Sequence, residues 1–339
     1  MTTMSPTPTR PTMSDVADAA GVSLKTVSRV VNGEAGVRPE TAAAVNDAIA
    51  LLGFRRNYIA RALRPGQRSH MLGLVIEDVS NPFYSAIFRG VEEIARSAGY
   101  LVITASSDED PEREQALVHL FCERRVEGLL VVPAGDDHRY VLPDVRAGTS
   151  IVFVDRPPRL IEADAVLLDN VGGARSAVRH LLAVGHRRIA MIGDEERIFT
   201  AGERLRGYRE EMAAAGRDVD PALVQLGTHD ADAAEAATRE LMALPEPPTA
   251  VFTANNRITL GAIRVLWQNG YRAALVGFDD LELAESLAMP ATVVAYDAAE
   301  LGREAARLLL LRLAGDAGPP RRVVLPTWLI ERGSGEVQP

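Results

Sequence analysis

The sequence predicts an all-α helix-turn-helix head followed by an α/β body in which two doubly wound parallel sheets form two lobes. Three observations point there. Two short amphipathic helices meet through a turn at Gly21, within residues 12–33. From residue 71 onward, apolar strand-like runs alternate with amphipathic helices, the pattern of parallel sheets covered on both faces. Charge is also divided: residues 1–68 hold nine Lys/Arg against five Asp/Glu, whereas the rest holds 28 against 41. A basic head therefore sits on an acidic body, although the whole chain of 339 residues carries −9.

In the head, Thr12-Met13-Ser14-Asp15 has the capping-box spacing, and Val16 and Ala20 lie four apart on one face. Ser23 is a good N-cap for a second helix, Val27, Val30 and Val31 share a face, and Asn32-Gly33 supplies a stop. A third helix starts at Pro39-Glu40 and closes the small core with Val45, Ile49 and Leu52 before Gly53. The second helix turns outward Leu24, Lys25, Ser28 and Arg29, a donor-rich row near its N-terminal end, where such a helix meets base edges in the major groove. On the spacing alone, a solvated helical hairpin fits as well.

The totals exclude several classes. Cys122 is the single cysteine, so an internal disulfide is impossible, and its place in the apolar pattern of residues 112–125 reads as packing. No apolar run approaches the roughly 18 residues that a membrane helix needs. Residues 1–11 are Thr- and Pro-rich without an apolar core, the composition of a disordered tail rather than a secretion signal. A cytoplasmic location is expected.

The body reads as strands near 71–76, 100–105, 128–133 and 150–155, then 166–169, 188–193, 223–227, 249–253 and 273–278, with a last strand at 321–325. Helices fill the gaps, and residues 297–313 form the last. Ligands of open parallel sheets bind beyond the carboxyl ends of the strands. That rule selects Asn81-Pro82-Phe83-Tyr84, Asp155-Arg156, Thr200 with Arg204, Asn255-Asn256 and Asp279-Asp280. Aromatic rings, carboxylates, a carboxamide and a guanidinium in one cleft suit a polyhydroxylated ring. Plainer roles compete at each: Arg204 and Asp279 as a structural ion pair, Asp155 as a turn cap, and Phe83, more than Tyr84, as simple core.

Val-Ser-x-x-Thr-Val-Ser-Arg-Val-Val-Asn at 22–32, followed by Asn-x-x-Ala-Arg-x-Leu at 57–63, resembles the lactose/galactose repressor family of bacterial regulators. The resemblance extends through Gly-His-Arg-Arg-Ile at 185–189 to Leu-Pro-Thr-x-Leu-Ile-x-Arg-x-Ser at 325–334. It implies a DNA-binding domain at 12–56, a hinge helix and linker at 57–69, and an effector-binding and dimerisation body of the periplasmic-binding-protein type at 70–339. The lobes are expected at 70–168 with 296–322, and at 169–293 with 323–339. They are joined by three crossings, near 167–170, 291–296 and 321–326.

By the same resemblance, Leu24, Lys25 and Arg29 read bases while Thr26, Ser28 and Asn32 position the helix. Asn57, Ala60, Arg61 and Leu63 belong to a hinge helix too short to be stable alone. It would order on DNA and drive Leu63 into a central base step. Phe83, Tyr84, Asp155, Arg204, Asn255 and Asp279 line the effector pocket, with His229 and Tyr296 at positions where the family commonly has another residue. Asn256 stands where Asp is usual, and Arg38 replaces the usual Ser or Thr cap of the third helix.

The expected function is a sequence-specific DNA-binding repressor of carbohydrate-use genes. It would act as a homodimer on a pseudo-palindromic operator and respond to a small sugar, or alternatively to a nucleobase or other metabolite as corepressor. A transport-type sugar-binding protein would need a secretion signal and no basic head. An enzyme would need a phosphate-cradling glycine loop or a nucleophile-base pair, and Gly-x-Gly-x-x-Gly, Gly-x-Ser-x-Gly and the Walker pattern are all absent. The six histidines show no metal-ligand spacing, so no catalytic residue, metal or cofactor is expected.

Overall fold

The computed structural model describes residues 11–54 and 69–339. The chain divides into two compact units, Met1–Ser69 and His70–Pro339.

The head contains α1 (Met13–Ala20), α2 (Leu24–Val31) and α3 (Pro39–Leu52). Thr12 and Asp15 form the reciprocal capping box at α1, Gly21 ends that helix in the left-handed region at φ 66, and the Ser23 side chain caps α2. Val16, Ala17, Val27, Val45 and Ala48 make the buried core, with Val30, Val31, Ile49 and Leu52 packed around it. Arg38, at the N-cap of α3, makes no side-chain cap hydrogen bond, as expected from the missing hydroxyl.

In the body, the first sheet comprises β1 (Met71–Ile76), β2 (Leu101–Ser106), β3 (Gly128–Val131), β4 (Ser150–Val154), β5 (Asp164–Leu168) and β11 (Arg322–Leu325), in spatial order β11-β5-β4-β3-β1-β2. Every pairing in it is parallel. The second comprises β6 (Ile189–Ile192), β7 (Val224–Gln225), β8 (Ala250–Thr253), β9 (Ala274–Phe278), β10 (Thr292–Ala295) and β12 (Trp328–Ile330), in order β12-β10-β9-β8-β6-β7. Its strands are parallel except β12, which runs antiparallel to β10.

Helices cover the sheets: α4 (Pro82–Ser97), α5 (Pro111–Glu123), α6 (Leu142–Arg146), α7 (Asn170–Val184), α8 (Phe199–Ala214), α9 (Ala231–Met242), α10 (Asn256–Gln268) and α11 (Ala298–Leu313). Helices α4 and α11 lie backbone to backbone on the first sheet. A Cβ on Gly90 would sit 1.9 Å from the Ala299 carbonyl oxygen, and one on Gly302 would sit 2.1 Å from that of Ile87. Glycine is required at both places because nothing larger fits.

Three expectations are corrected. The second sheet is mixed, because the chain re-enters it last at the β10 edge, where a short return strand pairs antiparallel. Residues 323–325 belong to the first lobe, since β11 pairs with β5 through Leu325↔Leu168. Likewise 294–295 belong to the second, since Val294 pairs with Phe278 and Ala295 with Trp328. The second and third crossings therefore fall at 296–297 and 326–327. A run of apolar residues announces a strand but not the edge that its backbone joins. The Cys122 thiol is half-buried and pushed up to about 11 by burial, consistent with packing.

Candidate functional site

The outward row of α2 is only partly free. Leu24 and Lys25 are exposed, whereas Thr26, Ser28, Arg29 and Asn32 have partners within the head. The hydroxyls of Ser23 and Thr26 are 2.8 Å apart. Asn32 Nδ2 donates to Ser28 Oγ and to Glu34 Oε1, each at 3.3 Å. Arg29 donates to the Ala35 carbonyl at 2.6 Å and lies 3.6 Å from Glu34, so its guanidinium is folded over the loop after α2. Asn57, Ala60, Arg61 and Leu63 lie outside the described residues.

Between the two sheets, beyond the carboxyl ends of their strands, lies a cavity of about 410 Å³. Phe83, Tyr84, Asp155, Arg204, His229, Asn255 and Asp279 all border it. Tyr296 does not; it stands behind the wall. Its hydroxyl donates to Asp279 Oδ1 at 2.6 Å, and its ring meets Phe83 edge-on at 5.8 Å. The expected contrast between the two aromatics is reversed. Tyr84 is buried, with its hydroxyl donating to Glu77 at 2.5 Å, while Phe83 is only partly buried.

Asp155 follows β4 and Asp279 follows β9, each with left-handed φ, at 68 and 72. Each donates its backbone N–H to the next strand, Asp155 to Val166 at 2.8 Å and Asp279 to Val294 at 3.0 Å. Aspartate tolerates this region better than most residues. Asp279 is saturated: besides Tyr296 it accepts the Asn256 N–H at 3.1 Å and lies 3.6 Å from Arg204. The Arg204–Asp279 pair that the sequence left open as structural is present, and it is also in the cavity wall. Arg204 also donates from Nε to Asn170 Oδ1 at 2.8 Å and from Nη1 to the Ala254 carbonyl at 2.5 Å, and stacks on the Phe278 ring at 3.8 Å.

Asp155, by contrast, is 3 % exposed and its Oδ1 has no hydrogen-bond partner. Burial pushes its carboxyl up to about 6, against the opposing pull of Arg156 and Arg204.

Several wall residues carried no prediction. Glu77 and Glu109 flank Arg156, whose NH2 lies 3.1 Å from Glu77 and 2.5 Å from Glu109. Burial, with the Glu109 carboxyl beside it, pushes Glu77 up to about 8; burial acts on Glu109 too, but Arg156 outweighs it and holds that group below its ordinary value. Asp194 also borders the cavity and lies 2.6 Å from His229 Nδ1. All three acids follow strand ends, β1, β2 and β6, and so carry the same signal as Asp155.

Two links bridge the lobes at the cavity rim. Asn256 Nδ2 donates to Asn81 Oδ1 at 2.8 Å. Arg257 pairs with Asp78 and donates to Ser80 Oγ at 3.0 Å.

A helix-turn-helix head and a two-lobed receptor body with a polar cleft define a class of ligand-responsive regulators, and comparison with known proteins agrees. Residues 12–57 match the model of bacterial regulatory proteins of the lacI family, and residues 178–335 match a periplasmic binding protein-like domain. The HTH-type transcriptional regulator CelR of Thermobifida fusca is 38% identical over 96% of this chain and 98% of its own. The ribose operon repressor of Escherichia coli is 32% identical over 95% and 99%. Among solved structures, the lac repressor dimer bound to operator and an anti-inducer superposes with a TM-score of 0.85 at 26% identity, over 96% of this chain and 99% of that one. A complex of CelR with cellobiose gives 0.71 at 36%, over 96% and 100%. The chain belongs to the LacI family of bacterial transcriptional regulators. These relatives are regulators rather than enzymes. No helix among the described residues is long and apolar enough to cross a membrane.

Proposed function

We propose that the protein is a cytoplasmic transcriptional repressor whose affinity for operator DNA is set by a small sugar bound between its lobes. The observation that carries the sugar reading is the unsatisfied, buried Asp155 oxygen in a cleft that also holds aromatic edges and carboxamides. A buried acceptor without a donor is costly, and a ligand hydroxyl removes that cost. CelR, which is solved with cellobiose, and the ribose operon repressor support a saccharide.

On the DNA side, Leu24 and Lys25 would meet base edges, with Arg29 joining them. Thr26, Ser28 and Asn32 would hold the helix in register. Asn57, Ala60, Arg61 and Leu63 would supply the hinge segment that orders on the duplex. A homodimer reading a pseudo-palindrome fits the lac repressor relative, and coupling would arise because the sugar binds one lobe arrangement better than the other. The test is operator binding by the full-length protein, titrated with and without saccharides. A sequence-specific complex whose affinity changes with one of them is expected, and equal affinity for operator and random duplex under all conditions would refute it.

A further inference from the structure

The cleft is bordered by carboxylates and guanidiniums in a ratio of two to one, and each guanidinium is already engaged within the chain. Arg156 is held by Glu77 and Glu109 and by the Pro133 carbonyl at 2.8 Å. Arg204 donates to Asn170 and the Ala254 carbonyl and lies 3.6 Å from Asp279. Arg257 serves Asp78 and Ser80, and Arg197 pairs with Glu195. Three helix starts that border the cavity are likewise closed by their own side chains, α4 by Asn81, α9 by Asp230 and α10 by Asn255. Helix α8 begins without a side-chain cap, but the wall that contains its first turn also contains Asp194. Two buried groups in this wall lack both a hydrogen bond and a close ion pair: an acceptor, Asp155 Oδ1, and beside it the Arg156 Nε–H, 3.8 Å from the other Asp155 oxygen.

Building on the sugar reading above, we infer that the effector is an uncharged saccharide, and that the cleft discriminates against phosphorylated and carboxylated sugars. A phosphate buried here would meet surplus carboxylates at close range. To draw Arg156 or Arg204 towards itself it would have to pull the guanidinium off Glu77 and Glu109 or off Asp279, leaving largely buried carboxylates without their cation. A neutral hydroxyl meets neither obstacle: it donates to Asp155 and accepts from donors that keep their present partners.

The test uses the full-length protein with matched probes: glucose with glucose 6-phosphate and glucuronate, ribose with ribose 5-phosphate, and cellobiose with cellobionate. Thermal shift and calorimetry should give hits among the neutral members, each at least about tenfold tighter than its anionic counterpart, the discrimination expected from one buried unpaired charge. The dissociation constant of the neutral hit should change by less than about twofold between roughly 0.05 and 0.5 M salt, because no charge pair is formed on binding. Asp155→Asn, which keeps the left-handed backbone accessible, should weaken that hit by about tenfold or more. An anionic sugar binding as tightly as its neutral partner would overturn this inference while leaving a sugar-responsive regulator intact. Silence across the whole panel would overturn the sugar reading and this inference with it, and full affinity in Asp155→Asn would refute the hydroxyl contact.

Discussion

Asp155 and Asp279 occupy equivalent places in the two sheets, at the end of the third strand in spatial order, with the same left-handed backbone, yet one is saturated and the other is open. Tyr296, Asn256 and Arg204 satisfy Asp279. The same backbone geometry thus makes a saturated hub in one lobe and leaves an open carboxylate oxygen in the other.

The difference has a pH consequence. In the folded protein burial raises the Asp155 carboxyl to about 6, so the group is partly protonated between pH 5 and 7, with Arg156, Arg204, Asp279 and Glu109 nearby. A ligand hydroxyl donates to the ionised form, so sugar affinity should rise with pH through about 6 and then level off. Calorimetry at pH 5, 6 and 7 measures this, and Asp155→Asn should flatten that inflection.

Asn81–Asn256 and Asp78–Arg257 join the lobes directly across the cleft, so they bias it toward closure. Replacing Asn256 and Arg257 by alanine should enlarge the free protein in small-angle scattering and weaken sugar binding several-fold, since the binding-competent form becomes less populated. Unchanged scattering and affinity would show that the clasp does not govern closure.

Gly302→Ala should destabilise the body by roughly 1–3 kcal/mol, because its Cβ would meet backbone rather than a movable side chain. Gly90→Ala should behave alike, and the two together should cost less than their sum, since either one already separates α4 from α11. Urea unfolding reads both effects.

Arg38→Ser should stabilise the head by about 1 kcal/mol by supplying the hydroxyl that α3 lacks at its start. Slower amide exchange in the first turn of α3 is the expected signature.

Much of this architecture was legible because its signals are local. The head was readable from Thr12, Ser23 and Gly21, whose capping roles depend on a few neighbouring residues. Strand ends named six of the seven predicted residues that line the cavity, His229 having come from the family resemblance, since a side chain just past a parallel strand has few other places to go. Tyr296 escaped that logic. It follows β10, but its hydroxyl is taken up by Asp279, a relation fixed by the packing of two strands remote from each other in sequence. The lobe assignment of 323–325 and the crossing expected over 291–296 failed for a similar reason: pairing partners are chosen by backbone edges that the chain order does not reveal. The Arg257–Asp78 link, 179 positions apart, had no sequence signal.

If Arg29 reads DNA as proposed, its folded-back posture makes that contact an exchange rather than a gain. Before reaching a guanine it must surrender the Ala35 carbonyl and the nearby Glu34 charge, so the contact is worth only the surplus of the new acceptors over the old. A wrong base that offers no such surplus leaves the side chain parked on its own loop, which turns a strong but indiscriminate cation into a selective probe.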